Sequence, residues 1–327
     1  MGWLSTIRNR RLFVSWWKYT SRPVSFARAM NAENYFFAQV DSLWLLKYIA
    51  RTCCCFWTLV RRRPSLVFAS DPPPFAPLVV WLYCRIFNAR YCMDSHTGTF
   101  DRWCWLLLSP LHAFLARRAI WTATTNAELA ARVKKMGAVG VIVEDIPFDL
   151  PRRTYPVDSA FPMAVVCSFY VDEPVLEVLE AARQLPDVRF YITGNPKKAS
   201  AQIHRFRPEN VTFTGWLCND DYAGLLHSVS AVLVLTTSDF TMQRGGSEAI
   251  TVGKPLITSD FPVLRRIFYK GTVHADNSPT GIKEAIELLR RDYPKFAREI
   301  VELREERQVR WKDTRADLER RITQEEG

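Results

Sequence analysis

One strand-to-helix turn concentrates residue types that bind anions. The stretch TMQRGGSEAITVGKPLITSD (241–260) follows the apolar run AVLVLTT (231–237) and leads into another, PLITSD. Arg244 offers a guanidinium fork matched to phosphate oxygens. Gly245 and Gly246 are expected to take positive φ and to let the backbone approach a ligand closely. A helix opening at Ser247 presents unpaired N–H groups and the positive end of its dipole. Glu248 then stands ready to accept hydrogen bonds from hydroxyl groups. With Thr241, Met242 and Gln243, these residues form a candidate site for a phosphorylated, hydroxyl-bearing ligand. A purely structural reading fits the same residues: Ser247 caps the helix, Glu248 complements its dipole, and Arg244 is solvated.

A second cluster is RYCMDSHTGTF (90–100), with Asp94 and His96 at the end of an apolar run and Thr97 and Gly98 just beyond. A histidine there can hydrogen-bond a hydroxyl or act as a base near neutral pH. Asp94 either orients it or is itself the base. Lys18, Ser21 and Arg22 follow the first apolar run and form a basic loop suited to an acceptor that carries phosphate. Gly194 in YITGNPKK and Gly215 in FTGWL, followed by Trp216, end further strands; close approach to a ligand and ordinary turns both explain them. Asp220-Asp221 reads as the cap and dipole partner of a helix rather than a metal site. No Asp-x-Asp closes a strand and no cysteine–histidine cluster has metal-ligand spacing, so no metal and no cofactor are expected.

The elements that must position these groups alternate along the chain. Apolar runs at 11–16, 65–70, 90–95, 120–125 and 139–147 are separated by helical patterns, and the alternation restarts with MAVVCSF after residue 162. The runs are continuous rather than alternating in polarity, as expected for parallel strands covered on both faces. The chain is therefore expected to be α/β, built as two doubly wound domains. Residues 148–162 carry three prolines without an apolar period and read as a linker. The expected division is 1–155, 156–300 and a helical tail, 301–327. Ligands of such sheets bind outside the carboxyl ends of the strands, so the strand-following loops hold the sites, and two such domains facing one another make a cleft.

Charge separates the halves. Residues 1–160 carry 21 Lys and Arg against 10 Asp and Glu, and the remainder 23 against 24. Nine of the 11 tryptophans also fall in the first 160 residues. A basic, tryptophan-rich half implies a surface for anionic lipid or an anionic substrate, and no nucleic-acid recognition motif accompanies it. SLWLLKYIARTCCCFWTLV (42–60) is the most apolar segment, but Lys47 and Arg51 lie near its middle. It is expected as a packed or membrane-surface helix, not a span. Eight cysteines without zinc spacing, and no secretory signal, point to a reducing, cytoplasmic setting.

The stretch from VTFTGWL through DDYAGLLHSVSAVLVLTTSDFTMQRGGSEAITVGKPLITSD resembles the nucleotide-sugar-binding region of GT-B-fold glycosyltransferases of the family-4 type. Glu248-Ala249, Gly253, Pro255 and Asp260 fill that family's places. The resemblance covers most of 163–285 and extends more loosely over the first half through YCMDSHTGTF, TTNAELAARVKKMGA and VIVEDIPFD. It implies a GT-B fold and a nucleotide-sugar donor on the second domain. Gly194 would lie near the phosphates, and Gly215 and Trp216 near the base. His96 would lie on the acceptor side with Thr97, Gly98, Lys18, Ser21 and Arg22. Two departures stand out. Phe240 occupies the place of a further glutamate, and SFYVDEPVLE (168–177) lacks the family's cations, leaving that duty to Arg244. The expected activity is metal-independent transfer to a membrane-proximal or lipid-linked glycan, by a peripheral protein on the inner face of a membrane. The alternatives are a non-catalytic partner of the same fold and a nucleotide-sugar epimerase.

Overall fold

The computed structural model describes residues 10–16, 21–37, 44–101, 103–144, 146–158, 161–239 and 243–324. The chain forms two compact units, Met1–Pro147 with Arg310–Gly327, and Phe148–Val309. The first unit runs β1 (Arg11–Ser15), α1 (Ser21–Ala29), β2 (Glu33–Phe36), α2 (Trp44–Arg62), β3 (Leu66–Asp71), α3 (Phe75–Phe87) and β4 (Arg90–Ser95). It continues with α4 (Thr97–Asp101), α5 (Trp103–Leu106), α6 (Ser109–Ala116), β5 (Thr122–Thr124), α7 (Ala127–Lys135) and β6 (Gly140–Ile142). All strand pairs are parallel, in the order β2-β1-β3-β4-β5-β6.

Both faces of this sheet are covered, which explains the unbroken apolar runs. Leu12, Val14, Val67 and Ala69 pack with Cys55 and Leu59 of α2 and Val80 and Tyr83 of α3. Phe13, Leu66, Phe68 and Cys92 face the other way, onto Phe26 of α1 and onto Leu318 and Ile322 near the end of the chain. The sequence does not announce β2: ENYF is short, polar at its start and only half-buried at the sheet edge. Residues 44–60 of the apolar segment lie within α2, with Leu59 turned inward and Leu46, Ile49 and Trp57 exposed. Among the described residues no helix is long and apolar enough to cross a membrane.

The second unit runs β7 (Phe161–Val165), α8 (Val175–Arg183), β8 (Val188–Thr193), α9 (Ala201–Phe206), β9 (Val211–Gly215), α10 (Asn219–Ser228) and β10 (Ala231–Val234). After these come α11 (Arg244–Val252), β11 (Leu256–Ser259), α12 (Pro262–Ile267), β12 (Thr272–Ala275), α13 (Pro279–Arg291) and α14 (Tyr293–Gln324). The parallel order is β12-β11-β10-β7-β8-β9. Strand order reverses between β7 and β10, so the carboxyl ends of that pair border the crevice where doubly wound sheets bind ligands.

The boundary falls at 147/148, ahead of the expected 155, because the proline-rich segment is strapped onto the second unit. Tyr155 N–H donates to Ser228 Oγ at 3.0 Å, Asp158 N–H donates to the Tyr191 hydroxyl at 2.8 Å, and Arg153 pairs with Asp220 at 3.3 Å. Gly224 of α10 is a consequence of this strap: a Cβ there would lie 2.9 Å from the Thr154 carbonyl. The residues expected as a tail are divided between the units. Ile300 and Leu303 of α14 sit in a core of the second unit, and Leu318 and Ile322 in a core of the first.

Candidate functional site

The Arg244 turn begins its helix earlier than the sequence suggests. α11 opens at Arg244, with Gln243 extended before it and no side-chain cap. Gly245 and Gly246 are therefore helical rather than at positive φ, and Ser247 is buried inside the helix instead of capping it. The glycines answer to packing. A Cβ on Gly245 would meet Val166 Cγ1 at 2.8 Å and Val234 Cγ2 at 3.0 Å; one on Gly246 would meet the Phe268 ring at 2.6 Å. Two glycines bring the helix start down onto the ends of β7 and β10, which places its N-terminus at the crevice. Thr241 and Met242 lie outside the described residues, as does Phe240.

Glu248 is the centre of this cluster. Its side chain is largely buried, accepts the Tyr222 hydroxyl at 2.5 Å, and pairs through Oε1 with Arg244 Nε at 3.3 Å one turn earlier. The Arg244 guanidinium carbon lies 3.7 Å from the centre of the Phe148 ring, a cation–π contact that helps to hold it in place. Its Nη groups make no hydrogen bond among the described residues. Burial, and then the neighbouring Glu248 carboxylate, push the Tyr222 hydroxyl well up, so it remains a donor.

The opposite lip of the crevice, after β7, is occupied by the protein's own carboxylates. Glu173 accepts the Ser168 N–H at 3.1 and 2.9 Å, the Tyr170 N–H at 2.8 Å and the Cys167 thiol at 3.3 Å. Phe169 between them holds φ 58°, and alternating the handedness of successive residues turns N–H groups towards one point. Asp172 ties this loop to the end of β10, accepting Thr237 N–H at 2.7 Å and Thr236 Oγ1 at 3.1 Å. The sequence noted only that cations were missing here; the geometry adds that an internal anion fills the N–H cradle. Gly194, at φ 90°, is required because a Cβ would lie 2.4 Å from the Cys167 carbonyl. Gly215, at φ 74°, faces open space and precedes Trp216, which is 80% exposed.

In the first unit, Asp94 is the penultimate residue of β4 and is buried. Arg22 grips it through Nε at 3.2 Å and Nη2 at 2.9 Å, while Arg22 Nη1 donates to the Val143 carbonyl at 3.1 Å. The guanidinium read as part of an acceptor loop is thus spent on Asp94. His96 Nε2 lies 3.6 Å from Asp94 Oδ2 and 3.4 Å from Ser70 Oγ. Burial raises the Asp94 carboxyl, but the Arg22 charge and hydrogen bonds, with His96, outweigh it and hold the group below its usual range. Burial lowers His96, against the pull of Asp94, so the imidazole is neutral at pH 7. Thr97 and Gly98 form the first turn of α4, half-buried beside it. Lys18 lies outside the described residues; Ser21 opens α1, and its side chain is also outside them.

Beneath this pair lies a buried set that the sequence did not flag. Asp71 Oδ2 and Ser95 Oγ both approach His112 Nε2, at 3.4 and 3.2 Å. A serine–histidine–aspartate relay needs its partners on opposite ring nitrogens, so this set is structural. Burial pushes the Asp71 carboxyl up to about 7 and His112 down to about 4.

The fold class follows from the two parallel six-stranded sheets. The fold is GT-B, and solved structures share it across nearly the whole chain. HepE of Anabaena, in complex with UDP and glucose, superposes with a TM-score of 0.69 at 13% identity, over 97% of this chain and 100% of that one. Sucrose-phosphate synthase of Thermosynechococcus elongatus gives 0.69 at 13% identity over 97% and 99%. A putative UDP-N-acetylglucosamine 2-epimerase of Listeria monocytogenes gives 0.62 at 9% over 90% and 91%. No curated protein matches in sequence. Residues 166–303 match the family described as Glycosyl transferases group 1. This segment holds the Arg244–Glu248 turn and spans most of the stretch that carried the resemblance.

Proposed function

We propose that the chain transfers a sugar from a nucleotide-sugar donor, held by the second unit, to a lipid-linked glycan presented at a membrane surface. The observation that carries the donor assignment is the composition of one turn. At the carboxyl end of β10, inside the family-matched segment, it combines a helix N-terminus, the uncommitted Nη groups of Arg244, and a Glu248 carboxylate oriented by Tyr222. Arg244 and the helix N-terminus meet the donor diphosphate, and Glu248 accepts a ribose or sugar hydroxyl. Cation and dipole together offset the charge leaving with the diphosphate, so this reading assigns no step to a metal. The HepE complex makes a uridine nucleotide the first donor to test.

On the acceptor side, His96 presents Nδ1 as the nitrogen not facing Asp94 and Ser70. It accepts the hydrogen bond, or the proton, of the acceptor hydroxyl, and Asp94, kept ionised by Arg22, balances the imidazolium. The basic, tryptophan-rich first 160 residues support a membrane-proximal acceptor and a peripheral location on the cytoplasmic face.

The test is a thermal-shift screen of UDP, GDP, ADP and their sugars, because bound ligand at a hundred times its Kd adds about 2.7 kcal/mol of stability. A uridine nucleotide is expected to raise Tm, and Glu248→Ala to abolish the shift. Transfer that survives Glu248→Ala and His96→Ala together would sink the reading. A chain that binds no nucleoside diphosphate would instead be a non-catalytic partner of the same fold.

A further inference from the structure

Two helices of the first unit carry apolar side chains that no core absorbs. In α2, Cys55 and Leu59 are fully buried, whereas Leu46, Ile49, Cys53 and Trp57 are exposed. Spacings of three, four and four residues align the exposed set on one stripe of the helix, about 16 Å long at 1.5 Å per residue. Trp57 is 67% exposed. At α5, Trp103 is 77% and Leu107 73% exposed, with Leu106 exposed between them. Single exposed apolar residues are ordinary, but a connected set marks an interaction surface.

Ring contacts connect these helices. Tyr48 of α2 meets Phe75, at the start of α3, edge to face at 5.4 Å, and Phe75 meets Trp105 of α5 at 6.4 Å. Trp105 is half-buried by this contact; Trp103 and Leu107 are not. The surface also adjoins the acceptor side. α4 begins directly after His96, and the Thr99 N–H donates to the His96 carbonyl at 2.9 Å. Thr99 and Phe100 of α4 and Leu106 of α5 then line one pocket of about 310 Å³. The apolar surface thus sits at the carboxyl end of the first sheet, where His96 lies.

Its chemistry decides what covers it. Tryptophan and leucine beside cations match the boundary between acyl chains and lipid headgroups. Residues 42–70, which contain α2, carry five Lys and Arg and no Asp or Glu. A second copy docked isologously would press that cationic helix against its own image, whereas an anionic bilayer accepts it. We infer that the α2 stripe and α5 dock the first unit on an anionic membrane, with the carboxyl end of its sheet towards the lipid. A lipid-linked acceptor then keeps its anchor in the bilayer and brings its hydroxyl end to His96. The inference rests on the membrane-proximal reading above and names the surface that reading would use.

The protein's own cysteines test it. Cys53 lies in the stripe and Cys218 precedes α10 in the second unit, and both are exposed. The full chain is treated with a charged maleimide, with and without vesicles containing phosphatidylglycerol, and the labelled sites are mapped by mass spectrometry. Vesicles are expected to abolish labelling of Cys53 and to leave Cys218 reactive. Trp103→Ser with Leu107→Ser, at positions too exposed for the fold to be at issue, should weaken co-sedimentation about tenfold for each side chain removed. The melting temperature of this variant without lipid should match wild type. Vesicle binding that leaves Cys53 reactive, or that is undiminished in the double variant, would overturn this surface and spare the membrane reading. A wild type that binds no vesicle would overturn both. Protection of Cys53 that grows with protein concentration in the absence of lipid would make the face an interface between copies and overturn the lipid assignment.

Discussion

In the proposed donor turn, the Arg244 side chain is held in place by protein groups alone. The guanidinium is held by Phe148 at 3.7 Å and its Nε by Glu248 at 3.3 Å, so little rotamer freedom remains to be lost on binding. Lysine cannot reproduce a fork. Arg244→Lys is expected to weaken UDP binding about tenfold and Arg244→Ala somewhat more, read by calorimetry; unchanged affinity in a folded Arg244→Ala removes the residue from the donor site. Asp71 and His112 give a pH signature of their own. The Asp71 carboxyl is raised to about 7, so its contribution to stability is full below the unfolded value of 3.8 and is lost as pH rises through 7. His112 is lowered to about 4, so its contribution is present above the unfolded value of 6.5 and is lost as pH falls from there towards 4. The two slopes oppose one another between 4 and 6.5, which leaves the Asp71 loss visible between about 6.5 and 8. In Asp71→Asn, stability measured by urea unfolding should rise from pH 4 to 6.5 and then stay level. A continued fall above 6.5 would assign the loss elsewhere.

At the scale of elements, the early start of α11 matters most. Two glycines in a first turn look like a loop to any local rule, because glycine is a poor helix former and a good ligand neighbour. The requirement for them comes from Val166, Val234 and Phe268, which lie 79, 11 and 23 or fewer positions away and meet only in the packed sheet. Gly245→Ala gains helix propensity but drives a methyl group into two β-branched side chains; overpacking of that kind costs about 1–3 kcal/mol. The variant is expected to be less stable by that amount in urea, and its donor affinity to fall because the helix start is displaced. A neutral or stabilising result would restore the view that Gly245 serves a ligand. Strand β2 is the complementary case: four residues at a sheet edge need little apolar pattern, so none marks them.

At the scale of the molecule, the end of the chain is structural in the first unit. Arg11 holds Glu319 through two bonds, at 2.6 and 2.8 Å; Arg90 donates to the Ile322 carbonyl; and Leu318 and Ile322 are buried beside Phe13 and Phe68. Removing residues 310–327 uncovers that face. Loss of a buried Leu or Ile typically costs 2–5 kcal/mol, so the truncated chain is expected to melt its first unit well below wild type while residues 148–309 keep their nucleotide-dependent transition. Calorimetric scans with and without UDP separate the two. A first unit that melts unchanged would show the helix end to be dispensable.

The alternation of apolar runs and helical patterns, by itself, determined two parallel α/β units, because a strand buried on both faces must be continuously apolar. Residues 241–260 likewise mark the turn proposed to hold the donor, since family-like spacing and anion-binding residue types coincide there. What depended on distant neighbours was not local enough to read. Tyr222 on Glu248, Phe148 under Arg244, Arg22 spent on Asp94 and Glu173 filling its own N–H cradle all pair groups that the chain brings together only on folding, except the last, whose partners were in plain view but whose geometry needs a left-handed Phe169. The division of α14 between the units was decided the same way, by which core its apolar residues reach. Periodicity reports that a side chain is buried; only the tertiary structure says against what.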